Sequence, residues 1–181
     1  MPFLTAPFIT RLQESFDKDY ADFKSPTEGE LGVSEAGIKI PTPPVKWATA
    51  WSEATELGAK GLMSMPIFPP VNNLALGMGK KAMYSVLITN TPYTPPYAIL
   101  KQGFVAFSGA ILLGWMPTYA AAPPGGPPNF ESLGAFGSAT TVNLPWITQC
   151  ANMLSQWFLT GALIPTPAGI SAVSAIPSNW L

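Results

Sequence analysis

TPPYAILKQGFVAFSGAILLGWM, residues 94–116, is the stretch on which the fold turns. Thr94-Pro95-Pro96 opens a helix, because proline is tolerated in a first turn that lacks intrahelical N–H partners. Leu100, Phe104, Phe107, Ile111 and Trp115 then recur at the three-and-four spacing of one helical face. Ala106, Ala110 and Gly114 form a ridge of small residues on another face, which lets a second helix approach closely. Lys101 is the one charge in the stretch. A helix apolar all round is buried in a core, covered by a partner or set in lipid.

The lack of charge continues to position 181. Between Gln102 and Leu181 the one Asp, Glu, Lys or Arg is Glu131, and all 9 Lys and Arg lie at or before Lys101. Charged residues make up 10% of the chain, against about 25% in ordinary soluble domains. Eighty nearly ion-free positions are not expected to face water over most of their area. They imply a covering partner. The first 35 residues are acidic and residues 36–101 are lysine-rich, so neighbouring copies can attract each other. No basic run is dense enough for a nucleic-acid footprint or a polybasic membrane tether.

Four other helices are expected. Residues 7–23 carry Ile9, Leu12, Phe16, Tyr20 and Phe23 at helical spacing, with Thr5 as cap and Glu14–Lys18 as an i,i+4 pair. Residues 44–62 place Trp47, Trp51, Ala54 and Leu57 on one face and Lys46, Thr49, Glu53, Glu56 and Lys60 on the other, with Glu56–Lys60 as a second pair. Residues 74–89 read as a helix weakened by Gly77 and Gly79, and positions 86–89 read equally as a short strand. Residues 143–164 put Leu144, Ile147, Ala151, Leu154 and Phe158 on one stripe, with Gln149, Asn152 and Gln156 opposite.

Proline, 21 residues in all, punctuates the rest. The run PPGGPP at 123–128 combines polyproline geometry with glycines that permit a sharp turn. Asn129 caps a short helix carrying Glu131 in its first turn, where the helix dipole favours an anion. Segments 27–44, 117–128 and 165–181 read as arms too long for so small a body to bury. The expected fold is mainly α: a small helical bundle with long proline-rich extended arms. Its parts are an N-terminal helix plus irregular arm over 1–44, a helical body over 45–164 interrupted by the PPGGPP loop, and an extended C-terminal arm over 165–181. A Trp-bearing helix running into Gly-Leu and a proline turn at 51–70 has a faint echo at 157–167.

Candidate chemistry is sparse. The chain has no histidine and one cysteine, which excludes Ser-His-Asp and Cys-His catalysis, an internal disulfide and an ordinary zinc site. Cys150 sits on an apolar helix without a cationic neighbour and reads as a packed small hydrophobe. Residues 77–81, GMGKK, lack the upstream glycine and the Ser or Thr of a phosphate-binding loop; their lysines are expected to pair with an acidic segment. Glu53 and Glu56 read as a solvated face or an ion pair between subunits rather than an acid/base couple. No catalytic residue, metal or cofactor is expected, and no enzyme. Residues 102–122 approach the length of a membrane span, about 20 residues, but include Ser108, Pro117, Thr118 and Tyr119. Residues 1–10 lack the basic start of a secretory signal, so synthesis in a cytoplasm is expected.

Two segments carry a resemblance. Gly114-Trp-Met-Pro-Thr-Tyr-Ala-Ala-Ala-Pro-Pro-Gly125 and residues 146–161 resemble small virion structural proteins of tailed bacteriophages with contractile tails. The resemblance covers the C-terminal half and carries over no functional residue. It implies a virion component, tail or baseplate ahead of neck or capsid, made in the host cytoplasm, whose partners are copies of itself and other virion structural proteins, with no nucleic acid. The interface candidates are Phe104, Ala106, Ala110, Gly114, Trp115, Trp146, Trp157, Phe158, Ile170, Val173, Trp180 and Leu181. The alternative is a membrane-embedded helical protein, holin-like or pore-forming, with residues 102–122 and part of 143–164 inserted.

Overall fold

A computed structural model describes residues 3–24, 31–33, 39–62, 73–89, 96–114, 119–133, 144–165 and 178–179. Five helices dominate: α1 (Thr5–Lys24), α2 (Thr42–Ala59), α3 (Asn73–Leu87), α4 (Pro96–Ile111) and α5 (Leu144–Phe158). Short strands join them: β1 (Leu31–Val33), β2 (Lys39–Pro41), β3 (Tyr119–Ala122), β4 (Ala162–Pro165) and β5 (Ser178–Asn179). The bundle is the mainly helical architecture expected from the apolar periodicity.

The helix expected from residue 44 keeps its two faces, with Trp47, Trp51 and Ala54 buried and Thr49, Glu53, Glu56 and Lys60 less so, but its buried face is wider than expected, because α2 is the centre of the bundle, packed on α1 and α3. Trp47, Ala48, Ala50, Trp51, Ser52, Ala54, Thr55 and Ala59 are all buried. Its polar residues tolerate burial because they bond to their own helix: Thr55 Oγ1 donates to Trp51 O at 2.7 Å and Ser52 Oγ to Thr49 O at 3.2 Å. Trp51 is the aromatic hub. Phe104, Phe130 and Trp146 each meet it edge-on, with centroids 6.2, 6.3 and 6.1 Å away, the geometry that ring quadrupoles favour. Phe8 adds a tilted contact from α1.

Glu53 and Glu56 bridge helices within the chain, not subunits. Arg11 Nε donates to Glu53 Oε2 at 3.1 Å, linking α1 to α2. Lys80 Nζ lies 3.1 Å from Glu56 Oε2, linking α2 to α3. The expected Glu56–Lys60 pair gives way to that contact, since Glu56 turns to α3 while Lys60 is exposed. Glu14 pairs with Arg11 at 3.9 Å; the Lys18 side chain lies outside the described residues.

α3 and α4 form an antiparallel pair whose close approach depends on two glycines. A Cβ built on Gly79 would stand 2.7 Å from Ile111 Cγ2 and 3.0 Å from Phe107 Cε2. One built on Gly103 would stand 2.9 Å from Leu87 Cδ2. The backbones come together where side chains are missing. Gly58 serves α1 in the same way: the Phe3 ring occupies the space of its absent side chain, and Leu4 N donates to Gly58 O at 2.8 Å.

α5 closes the bundle against α1. Ile147, Cys150, Ala151, Leu154, Trp157 and Phe158 are buried, while Gln149, Asn152 and Gln156 are exposed. Phe3 stacks on Phe158 with centroids 5.1 Å apart. The helix expected to reach Ile164 stops at Phe158, and Ala162–Pro165 becomes β4. Thr160 Oγ1 returns to Trp157 O at 2.7 Å and Gly161 N to Phe158 O at 3.2 Å, which tightens and ends the last turn. β4 lies between β3 and β5 in an antiparallel sheet, with Tyr119 opposite Pro165 and Leu163 opposite Ser178. Ser178–Asn179 thus pairs back onto β4; residues 166–177 of the expected arm lie outside the described residues. At the N-terminal side β1 pairs antiparallel with β2.

The PPGGPP run turns rather than extends, because Gly126 takes φ 68°, a left-handed value that glycine adopts without a Cβ clash. Pro124 and Pro128 are buried; Pro123 and Pro127 are exposed. The short helix after Asn129 is a single 3-10 turn, Phe130–Leu133, and Phe130 is fully buried.

Candidate interface

α4 divides sharply into two faces. Leu100, Phe104, Phe107, Ser108 and Ile111 are buried against the bundle. On the outward side Ala98, Gln102, Val105 and Gly109 recur at three-and-four spacing, and Leu113 follows in the 3-10 turn Leu112–Gly114; Val105 and Leu113 are 47% and 52% exposed. Pro127 approaches that face from the PPGGPP turn. Together Ala98, Lys101, Gln102, Val105, Ala106 and Pro127 line a broad, open, largely apolar depression of about 520 Å³.

Lys101 borders the depression and forms an ion pair with Glu131 of the 3-10 turn. Its hydrogen bond, followed by a backbone hydrogen bond at Glu131, holds that carboxyl below its ordinary value against a smaller opposing effect of desolvation. The single acid of the C-terminal eighty residues is therefore matched by the last lysine before them. Outward from this pair α4 offers methyl groups, an amide and open backbone, and no charge.

The sequence candidates fall into three groups. Phe104, Trp157 and Phe158 are buried in the chain's own core, so their rings offer little to a partner. Burial follows from their stacking: Phe104 and Trp157 meet edge-on at 6.1 Å, and Trp157 and Phe158 lie 4.8 Å apart. Ala106, Ala110 and Trp146 are half-buried, and Gly114 ends the 3-10 turn that follows α4. Trp115, Ile170, Val173, Trp180 and Leu181 lie outside the described residues. Sequence reading passed over Val105, Gly109, Leu113 and Pro127. The signal available was Gly109 in mid-helix, a position where glycine weakens a helix without an evident internal reason.

Other chemistry is limited. Burial pushes the Cys150 thiol far above its ordinary value, so it stays protonated. Among the described residues no three His, Cys, Asp or Glu side chains gather as a metal site. No described helix is long and apolar enough to cross a membrane; the 16 residues of α4 span about 24 Å at 1.5 Å per residue, short of a hydrocarbon core of about 30 Å. Comparisons with protein-family models, curated proteins and solved structures find no match.

Proposed function

We propose that the chain is a non-enzymatic structural subunit of a large, lasting assembly, held by apolar interfaces and by exchanged arms. The assembly that fits best is a phage virion, at the tail or baseplate, as the resemblance of residues 114–125 and 146–161 implies. One observation carries the reading: the outward face of α4 is exposed, uncharged and partly apolar. Obligate interfaces are more apolar than the surfaces proteins show to water. The exposed side of α5 supports it, since Gln149, Asn152 and Gln156 are polar without being ionic.

The test is the copy number and position of the chain in a purified particle, by quantitative mass spectrometry and by labelling in electron micrographs. A fixed multiple of the particle's symmetry at one location supports the proposal. Absence from purified particles, together with a non-associating monomer in solution, overturns it. Flotation with liposomes, without other virion proteins, would instead favour the membrane-embedded alternative.

A further inference from the structure

We propose that the exposed face of α3 carrying Leu74, Met78 and Lys81 docks on the acidic second half of α1 of a second copy, head to tail. This names a contact within the assembly reading and rests on it, yet it can fail while that reading stands.

Ion pairing inside the chain singles out Lys81. Arg11 pairs with Glu53 and Glu14, Lys80 with Glu56, and Lys101 with Glu131. Among the described residues, the charged side chains outside these pairs are Lys60 and Lys81, and both are exposed. Lys60 directly follows the last residue of α2, where the helix dipole favours a cation. Lys81 stands in the interior of α3 and has no such reason for its charge. It shares a helical face with Leu74 and Met78, at i, i+4 and i+7 spacing. Leu74 is 75% exposed and Met78 40%. Covering that apolar pair excludes water beside Lys81 and strengthens its attraction for an acid.

α1 supplies the opposite sign. From Glu14 to its end it holds Glu14, Asp17, Asp19 and Asp22 against Lys18 and Lys24, and the next acids along the chain, Glu28, Glu30 and Glu35, add to the surplus. The Glu14 side chain is 64% exposed and stands 3.9 Å from Arg11, whose closer contacts go to Glu53. Glu14 is therefore poorly neutralised. The two surfaces are held apart within one copy, because α2 packs on both α1 and α3 and stands between them. They can meet between copies. Their complementary charge within a single sequence makes the occupant a second copy rather than an anionic lipid surface. A contact joining two different surfaces is heterologous, and repeated head to tail it closes a ring or extends a filament.

Charge reversal in the full chain tests the contact. Lys81→Glu alone, and Asp17→Lys with Asp22→Lys alone, are each expected to weaken self-association about tenfold or more in sedimentation velocity, because each sets like charges face to face. Mixed in equal amounts, the two variants are expected to associate to within about threefold of wild type, since the acidic α3 of one then meets the basic α1 of the other. Wild-type association is expected to weaken as salt rises. Lys81 is exposed and unpaired among the described residues, so Lys81→Glu is expected to leave helical circular dichroism unchanged. Leu74→Ser provides a second disruption that alters no charge. Should every variant associate as well as wild type, the α3–α1 contact is overturned and the assembly reading survives. Weakened association that mixing fails to restore overturns the pairing of these two surfaces. Binding to vesicles of anionic phospholipid that Lys81→Glu abolishes, with self-association untouched, assigns the face to lipid and overturns the proposal. A wild-type chain that stays monomeric at about 100 μM overturns it as well, and copy number in the purified particle then decides the assembly reading on its own.

Discussion

The indole N–H of Trp157 donates to the carbonyl oxygen of Gly126 at 2.8 Å, so the last turn of α5 holds the centre of the PPGGPP turn. A second link runs beside it. Gly125 N donates to Thr160 Oγ1 at 3.0 Å, and that hydroxyl donates onward to Trp157 O at 2.7 Å. Replacing Trp157 with phenylalanine keeps a ring in the core but removes the donor. The expected loss is about 1–2 kcal/mol, one neutral hydrogen bond plus some buried area. A urea midpoint identical to wild type would show that Thr160 alone secures the turn.

Gly77 and Gly79 lie two positions apart on different faces of α3 and are expected to respond to alanine with opposite signs. At Gly79 the new methyl group would enter Ile111 Cγ2 at 2.7 Å, and a β-branched methyl has little freedom to retreat. Gly79→Ala should therefore destabilise by about 1–3 kcal/mol despite the better helix propensity of alanine. Gly77 has open space around its missing Cβ, so Gly77→Ala should stabilise by about 0.5–1 kcal/mol. Thermal unfolding of the two variants side by side checks the reversal.

Glu131 gives a pH signature. Lys101 holds its carboxyl below the usual value in the folded chain. A depressed folded pKa contributes stability that is complete above the unfolded value and is lost as pH falls through the folded one. The wild-type chain should therefore exceed Glu131→Gln in stability at neutral pH, and the gap should close in acid. The gap should also be small and shrink with salt, because the carboxylate is exposed. Denaturant titrations of both proteins across the acid range measure it; a gap that widens in acid contradicts the pairing.

Cys150 should resist alkylation while the chain is folded. It is buried and its thiol is pushed up by that burial, so little thiolate exists to react. Iodoacetamide followed by mass spectrometry should find it unmodified in native buffer and modified in denaturant. Labelling in native buffer at the rate of a free thiol would mean that α5 opens readily.

What could be read in the sequence follows the range of the forces involved. The five helices were legible because apolar residues spaced by three and four report local geometry, and Ile147, Ala151, Leu154 and Phe158 are buried as that spacing implies, whereas Leu144 of the same expected stripe, the first residue of α5, is 48% exposed. The centrality of α2 was not legible. Small residues such as Ala48 and Ala50 look alike on a solvated face and at a helix crossing, and burial came from α1 and α3 arriving on both sides. β3 escaped notice for a related reason. Tyr-Ala-Ala-Ala carries no strand alternation, and its partner, β4, lies some forty positions away. Among the small residues of α4, the ridge at 106 and 110 attracted attention by its regularity, whereas the close contact with α3 falls at Gly103. A glycine's purpose depends on the neighbour that meets it, and that neighbour is remote in sequence.

The stacking of Phe3 on Phe158 sets a schedule for folding on the ribosome. The pocket at Gly58 can receive the Phe3 ring as soon as α2 exists, but the other wall of that pocket is made about one hundred residues later. Until α5 leaves the exit tunnel, a nascent chain shows an unfinished apolar seam along α1 and α2. Such a seam attracts chaperones and other nascent chains, and it stays open until the ribosome has moved far enough past residue 158 to release the whole of α5.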